Sequence, residues 1–167
     1  MDVAALLAEM YGRILPVAEQ AVDGLDLDQL VIAPGPIANP IAWLVWHTAR
    51  VQDHHIAELM DTSQIWVTRD WAARFGLEPD PDNTGYGHTA ADVALVRPTD
   101  TEVLTDYLEA VGRRTESMLA TLTPEDLDDI VDERWDPPVT RGVRLVSVVD
   151  DSVQHLGQAA YVRGLLT

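Results

Sequence analysis

Apolar residues recur every three or four positions along four long stretches of the chain, which is the spacing of amphipathic helices. The predicted helices cover residues 2–22, 40–61, 99–121 and 143–166. On the first of them, the residues spaced for one face are Leu6, Met10, Ile14, Val17 and Ala21. No segment shows a convincing alternation of apolar and polar residues. The sequence therefore predicts an all-α protein, a four-helix bundle formed by a single domain over residues 1–167.

Two of the predicted helices begin at recognisable capping residues. Asn39 precedes Pro40, and asparagine caps free N–H groups while proline at the first helical position loses no hydrogen bond. Thr99, with Glu102 three residues later, predicts a capping box for the third helix. Residues 24–39, between the first two helices, are predicted to form a loop.

A long irregular connection, residues 62–98, separates the second and third predicted helices. Short helical turns are predicted at residues 68–75 and 89–96, with PDPDNTGYGHT as a loop between them. Another short turn is predicted after Thr123, and DERWDPPVTRG is predicted to be irregular because two prolines and a glycine interrupt it. So long a connection indicates a topology other than a simple up-and-down bundle.

The composition excludes several kinds of partner. The chain has 28 acidic residues against 11 arginines and no lysine, so its formal net charge is −17. Such a surface repels nucleic-acid phosphates and anionic membranes. The absence of cysteine excludes disulfides, thiolate metal sites and a cysteine nucleophile. Because the N-terminus lacks signal-peptide features and no apolar stretch reaches the roughly 18–20 residues of a membrane span, we expect a cytoplasmic protein.

The fourth predicted helix places a carboxylate and an imidazole side by side. Its apolar sector comprises Leu145, Val148, Val149, Val153, Leu156, Ala159, Ala160 and Val162. His155 lies inside this sector and Asp151 at its edge, about 40° apart in direction and about 6 Å apart along the axis. A carboxylate that faces a bundle interior must be paired or must coordinate a metal. The two residues are therefore either part of a metal site or a hydrogen-bonded pair in the core.

The second predicted helix offers a third ligand. His47 lies at the margin of its apolar face, one turn after Trp43. One helix with a single histidine and another with a carboxylate and a histidine make His47, Asp151 and His155 a workable three-ligand set. Such a set leaves coordination positions open for water or substrate, as catalytic zinc sites do.

The remaining histidines are assigned other places. His54 and His55 lie about 10–12 Å beyond His47 along the helix and are too distant to bind the same ion. We expect His54 to be exposed or at the mouth of a pocket, and His55 to be a hydrogen-bonded core residue. His88, in a glycine-flanked loop, is predicted to be a surface residue.

The segments PIAWLVWHTARVQDHH and LVSVVDDSVQHLGQAAYVRGLL resemble the two signature helices of the DinB/YfiT-like superfamily. The resemblance implies an up-down-down-up bundle, usually a homodimer, with one divalent metal held at His47, Asp151 and His155. A carboxylate at the position of Asp151 is similar to the mycothiol-dependent maleylpyruvate isomerase branch, which has the longer glutamate there. The segment from His155 to Gln158, followed by Tyr161 and Arg163, also matches the family pattern.

The resemblance further implies a metal-dependent S-transferase or isomerase that uses a low-molecular-weight thiol such as mycothiol on small electrophiles. We expect zinc as the metal, with nickel as the alternative. Trp43 and Trp46, with aromatic residues of the middle connection, are predicted to shape an apolar pocket, and Arg163 or Arg50 to bind an anionic group such as a carboxylate. The alternative for Arg163, at the end of its helix, is a solvated cation that compensates the helix dipole. Two other functions remain open, a metal-dependent hydrolase and a non-catalytic metal- or small-molecule-binding protein of a stress response.

Overall fold

The computed structural model describes residues 1–167 and is almost entirely helical. Its helices are α1 (Val3–Gly12), α2 (Ile14–Val22), α3 (Leu27–Leu30), α4 (Ile41–Leu59), α5 (Ile65–Thr68), α6 (Trp71–Arg74), α7 (Ala90–Val93), α8 (Glu102–Leu119) and α9 (Arg141–Leu166). A 3₁₀ turn at Glu125–Asp128 precedes a small antiparallel ribbon of β1 (Ile130–Asp132) and β2 (Val139–Thr140). The predicted all-α class is confirmed, and the ribbon, α3 and α5 are additions to regions predicted to be irregular.

Four long segments form the bundle, namely α1 with α2, then α4, α8 and α9. The first segment runs parallel to α9. The Tyr11 hydroxyl donates a hydrogen bond to the carbonyl of Leu145 near the start of α9 (3.0 Å), and Arg163 near its end donates to the carbonyl of Ala21 (3.3 Å). These two contacts fix the direction of the first segment.

Helix α4 runs antiparallel to α9, because Arg141 at the start of α9 donates to the carbonyl of Leu59 at the end of α4 (3.0 Å). Helix α8 runs parallel to α4, since Arg50 contacts Tyr107 early in α8 and Arg114, later in α8, contacts the side chain of Thr62 just beyond α4. The topology is therefore up-down-down-up, as predicted.

The first predicted helix is broken at Arg13, which separates α1 from α2. Pro16 explains the break, because its ring removes one N–H and would clash with the carbonyl four residues earlier in a continuous helix. The predicted apolar face is also partly wrong. Leu6, Met10 and Val17 are 53%, 40% and 37% exposed, whereas the core takes in Tyr11, Ile14, Ala18 and Ala21. Tyr11 can be buried because its hydroxyl is hydrogen bonded.

Two predicted caps are replaced by neighbours. Asn39 makes no capping hydrogen bond, and Pro40 is the residue that precedes α4. At the start of α8, the carboxylate of Asp100 rather than the hydroxyl of Thr99 accepts the N–H of Val103 (2.8 Å). A carboxylate is the stronger acceptor for this partly positive helix end.

Helix α9 begins two residues before its predicted start, and the Thr140 hydroxyl caps it. Six of the eight predicted apolar residues are buried, but Val153 and Ala160 are exposed. None of the helices combines the length and the apolar composition that a membrane span requires.

Candidate metal centre

Helices α4 and α9 bring His47, Asp151 and His155 together. One oxygen of the Asp151 carboxylate, Oδ1, lies 3.9 Å from Nε2 of His47 and 3.5 Å from Nε2 of His155. One ligand atom from each of the three side chains falls within 4.8 Å of the others. The arrangement follows from the antiparallel packing, since His47 faces α9 from α4 and the other two occupy one turn of α9.

The other nitrogen of each imidazole faces a carbonyl oxygen. Nδ1 of His47 lies 2.5 Å from the backbone carbonyl of Thr84, and Nδ1 of His155 lies 3.1 Å from Oε1 of Gln158. Because a carbonyl oxygen only accepts hydrogen bonds, each Nδ1 carries the proton and each Nε2 is the nitrogen left to meet Asp151. Histidines that bind metals are usually held in this way by a second hydrogen bond.

The carboxylate of Asp151 contains an unpaired atom. Its second oxygen, Oδ2, is buried and has no hydrogen-bond partner. In a tetrahedral zinc site with bonds of about 2.0–2.1 Å, neighbouring ligand atoms lie about 3.3 Å apart. The separations of 3.5 and 3.9 Å are close to that value. Two imidazole nitrogens and a carboxylate also suit a divalent transition metal, so the residues present fit such an ion.

The pKa values of His47 and His155 are shifted in opposite directions. Burial lowers the pKa of His47, and the Thr84 carbonyl offsets part of this effect, so the ring is neutral and able to act as a ligand. The hydrogen bond to Asp151 is the main reason that the pKa of His155 is raised. Without an ion, the carboxylate of Asp151 therefore favours the positive form of the His155 ring.

Access to the centre is one-sided. His47 is only 5% exposed, whereas the Asp151 and His155 side chains keep 31% and 21% of their surface exposed. On the closed side the Trp43 ring stacks on the His47 ring, with centroids 4.6 Å apart and planes within 10°. The open side lies toward Asp151 and His155, where further ligands can approach.

A family model of the DinB superfamily matches residues 12–159. The chain belongs to the DinB superfamily. It is also similar to a solved structure described as the crystal structure of the conserved protein of locus from Enterococcus faecalis. The two are 36% identical, the match covers 99% of this chain and 98% of the other, and the TM-score is 0.92. No curated protein matches the chain significantly.

In this DinB-superfamily chain, His88 is half-buried, so the prediction that it is a surface residue is only partly right. Its Nδ1 accepts a hydrogen bond from the Trp43 indole (3.1 Å), and its Nε2 lies 2.8 Å from Oδ1 of Asn83. Its ring also stacks against Trp46 with centroids 5.7 Å apart. The flanking Gly85 and Gly87, with φ of 94° and 75°, give the loop the tight turns that turn His88 inward.

Trp43 and Trp46 pack behind the centre rather than around an open pocket. Trp43 contacts His47, His155 and His88, while Trp46 is fully buried and contacts Trp43 and His88. A cavity of about 310 Å³ with a mixed apolar and polar lining includes His88 in its wall. It is lined by segments 31–40 and 88–97.

Neither arginine predicted to bind an anion lies free at the centre. Arg50 has no exposed surface and pairs with Asp53 and with loop carbonyls, so it cannot reach a substrate. Arg163 donates to the carbonyls of Ala21 and Asp23 at the end of α2, about 12 Å along α9 from His155. In both cases the guanidinium holds parts of the protein together.

A second group of metal-ligand side chains, His54, His55 and Glu58, lies at the far end of α4. Nδ1 of His55 is 3.4 Å from the Glu58 carboxylate, and its Nε2 is 3.5 Å from the Arg144 guanidinium. A guanidinium beside one ring nitrogen and a carboxylate beside the other leave no free lone pair for a metal. His55 is therefore a hydrogen-bonded, partly buried residue, and His54 is partly exposed beside Pro81 and Gln64.

Proposed function

We propose that the chain is a metal-dependent S-transferase that binds one divalent transition ion, zinc first and nickel second, through His47, Asp151 and His155. The proposal rests above all on one observation. Two imidazole Nε2 atoms meet one carboxylate oxygen, while both Nδ1 atoms are already engaged by carbonyls. An ordinary core Asp–His pair would not need a second, oriented histidine.

A metal held there supplies positive charge that favours the thiolate form of an incoming thiol and polarises an electrophile. The chain contains no cysteine, so the thiol has to come from outside, and a low-molecular-weight thiol of the mycothiol kind fits this requirement. The exposed side at Asp151 and His155 leaves room for that thiol. A small electrophile would have to approach from this same exposed side, since none of the three candidate ligands lines the cavity beside His88.

Metal content tests the first half of the proposal. Elemental analysis of the purified protein should find about one transition ion per chain, as a three-ligand site predicts. The ion should be lost in His47→Ala and in Asp151→Asn. His54→Ala is the matched control, because it removes a histidine of the same helix outside the centre, and it should keep the ion. A parent protein that stays metal-free after incubation with zinc and nickel would show Asp151 and His155 to be a core pair.

Activity tests the second half. The metal-loaded protein should conjugate an electrophilic probe such as monobromobimane or 1-chloro-2,4-dinitrobenzene to mycothiol, bacillithiol, glutathione or cysteine, with a preference among these thiols. His155→Ala should lose both metal and turnover while keeping its helical circular dichroism. Retained turnover in metal-free His155→Ala contradicts the proposal. Thiol-independent hydrolysis of ester or phosphate-ester probes would instead make the protein a hydrolase.

A further inference from the structure

A buried ion pair lies one turn beyond His47 on α4. Arg50 and Asp53 have no exposed surface, and Nη1 of Arg50 lies 3.7 Å from Oδ2 of Asp53. The Tyr107 hydroxyl donates to the same oxygen (2.9 Å) and accepts from Nη1 of Arg50 (3.3 Å). Burying two charges is costly unless their hydrogen-bonding groups are also satisfied. The remaining donors of Arg50 therefore need partners.

Those partners are carbonyls of the loop that lies over the centre. Nε of Arg50 donates to the carbonyl of Asn83 (3.0 Å), and Nη2 donates to that of Pro81 (3.1 Å), with the carbonyl of Asp80 at 3.5 Å. The guanidinium is planar and presents its donors in a fixed fork, so it holds several carbonyls at set positions at once. Residues 80–83 are thereby fixed to α4.

The next residue along this loop contacts the centre. The carbonyl of Thr84 lies 2.5 Å from Nδ1 of His47, and this contact leaves Nε2 of His47 as the lone-pair nitrogen that faces Asp151. Arg50 and His47 are three residues apart on α4. Arg50 therefore fixes the loop to α4, the helix that also carries His47, and the loop in turn orients the His47 ring.

We infer that Arg50 is a positioning residue that, through the loop at residues 80–84, fixes the His47 ring in the tautomer with Nδ1 protonated and Nε2 free. The effect of Arg50 on metal affinity rests on the proposed function, but the tautomer of His47 is a property of the metal-free protein. The inference about Arg50 and the proposed function can therefore be refuted separately. Asp53 pairs with the guanidinium, and Tyr107 contacts only its Nη1, which makes no bond to the loop.

The variant that tests the inference is Arg50→Lys, which keeps a positive charge beside Asp53 but lacks the planar fork. In the metal-free parent, two-bond ¹H–¹⁵N NMR should show His47 as a single tautomer with the proton on Nδ1. Arg50→Lys should show a mixture of tautomers, and its zinc affinity should fall about 10- to 100-fold, the usual effect of losing a partner of a metal-binding histidine.

Tyr107→Phe is the matched control, because it loosens the same buried network without removing a bond to the loop. This variant should have a lower melting temperature than the parent, but the same His47 tautomer and the same zinc affinity. A single parental tautomer in Arg50→Lys overturns the inference. Equal loss of affinity in Tyr107→Phe does so too, since it would reflect general loosening of the core. A parent that binds no zinc refutes the proposed function but leaves the tautomer result decisive.

A measurement on the parent protein applies even if Arg50→Lys does not fold. If the loop and the two side chains open as one unit, the Nε–H of Arg50 and the Nδ1–H of His47 should exchange with solvent with the same protection and the same response to urea. Exchange of the His47 proton by an independent, less protected opening would mean that the loop releases His47 while Arg50 still holds it. That result overturns the inference.

Discussion

Replacing Gly85 with alanine should damage the candidate metal centre directly. A Cβ at this position would lie 2.7 Å from Nδ1 of His47, 2.9 Å from a ring carbon of Trp46 and 3.0 Å from a ring carbon of Trp43. All three residues are buried and cannot move aside without disturbing the core. Gly85 also has φ of 94°, a conformation that alanine rarely adopts.

The expected cost has two parts. Holding alanine at this φ costs about 1–3 kcal/mol, and overpacking a filled core costs about 1–3 kcal/mol more. The loop can avoid the clash only by releasing the hydrogen bond from His47 to Thr84, which is worth about 1 kcal/mol, and the charged bonds from Arg50, which are worth more. We therefore expect Gly85→Ala to lower the free energy of unfolding by about 3 kcal/mol, a fall in melting temperature of about 6–12 °C at this chain length.

The variant Gly87→Ala separates the cost of the backbone conformation from the cost of overpacking. Gly87 lies in the same loop with φ of 75°, but a Cβ there would meet no atom within 4 Å. Urea denaturation followed by circular dichroism should show that Gly87→Ala lowers the free energy of unfolding only by the cost of the backbone conformation. Zinc binding should weaken in Gly85→Ala alone. If the two variants are equally stable, the loop does not press on His47 and the reasoning is refuted.

Two further predictions concern buried charges. Burial, followed by the charges of Arg144 and His54, lowers the pKa of His55 from 6.5 to about 4. Between pH 6.5 and pH 4 this histidine is therefore protonated in the unfolded chain but not in the folded one. The free energy of unfolding should fall by about 3 kcal/mol as the pH drops through this window. Urea titrations from pH 7 to 4 should show this loss in the parent and not in His55→Gln. Asp53→Ala should destabilise by about 3–5 kcal/mol, since it leaves a buried guanidinium uncompensated; a parental urea midpoint would contradict this.

The parts of the fold that depend on local spacing were predictable from the sequence. The long helices follow from apolar periodicity, and Asp151 and His155 share a face of α9 because residues four apart lie close in direction. The up-down-down-up order came from the resemblance, because periodicity indicates only that a long connection excludes the simplest topology. The break at Arg13 was readable from Pro16, whose effect on a helix is local.

The surroundings of the centre were not predictable in the same way. The partner of His47 is a backbone carbonyl, that of Thr84, and every residue type carries one. The one local signal was the pair Gly85 and Gly87, since glycines so spaced favour a loop that approaches other atoms closely. That signal would have placed His88 against the core instead of at the surface.

Arg50 shows why residue type alone misleads. An arginine close to a predicted site is a natural partner for an anionic substrate, and the sequence predicts that role for Arg50. In the structure, the guanidinium of Arg50 donates hydrogen bonds to loop carbonyls and forms an ion pair with Asp53. A guanidinium binds carbonyl and carboxylate oxygens alike, and only the fold decides which of them it reaches.

Asp151 raises the corresponding question for the ligand set, because its side chain is one methylene shorter than the glutamate of the maleylpyruvate isomerase branch. The geometry indicates that the shorter side chain is sufficient. Its Oδ1 already lies 3.5 and 3.9 Å from the two Nε2 atoms, against about 3.3 Å in a tetrahedral site, and its side chain is 31% exposed and free to adjust. Tight packing of α4 against α9 brings the two histidines within reach of the short carboxylate, so the loss of a methylene does not argue against a bound metal.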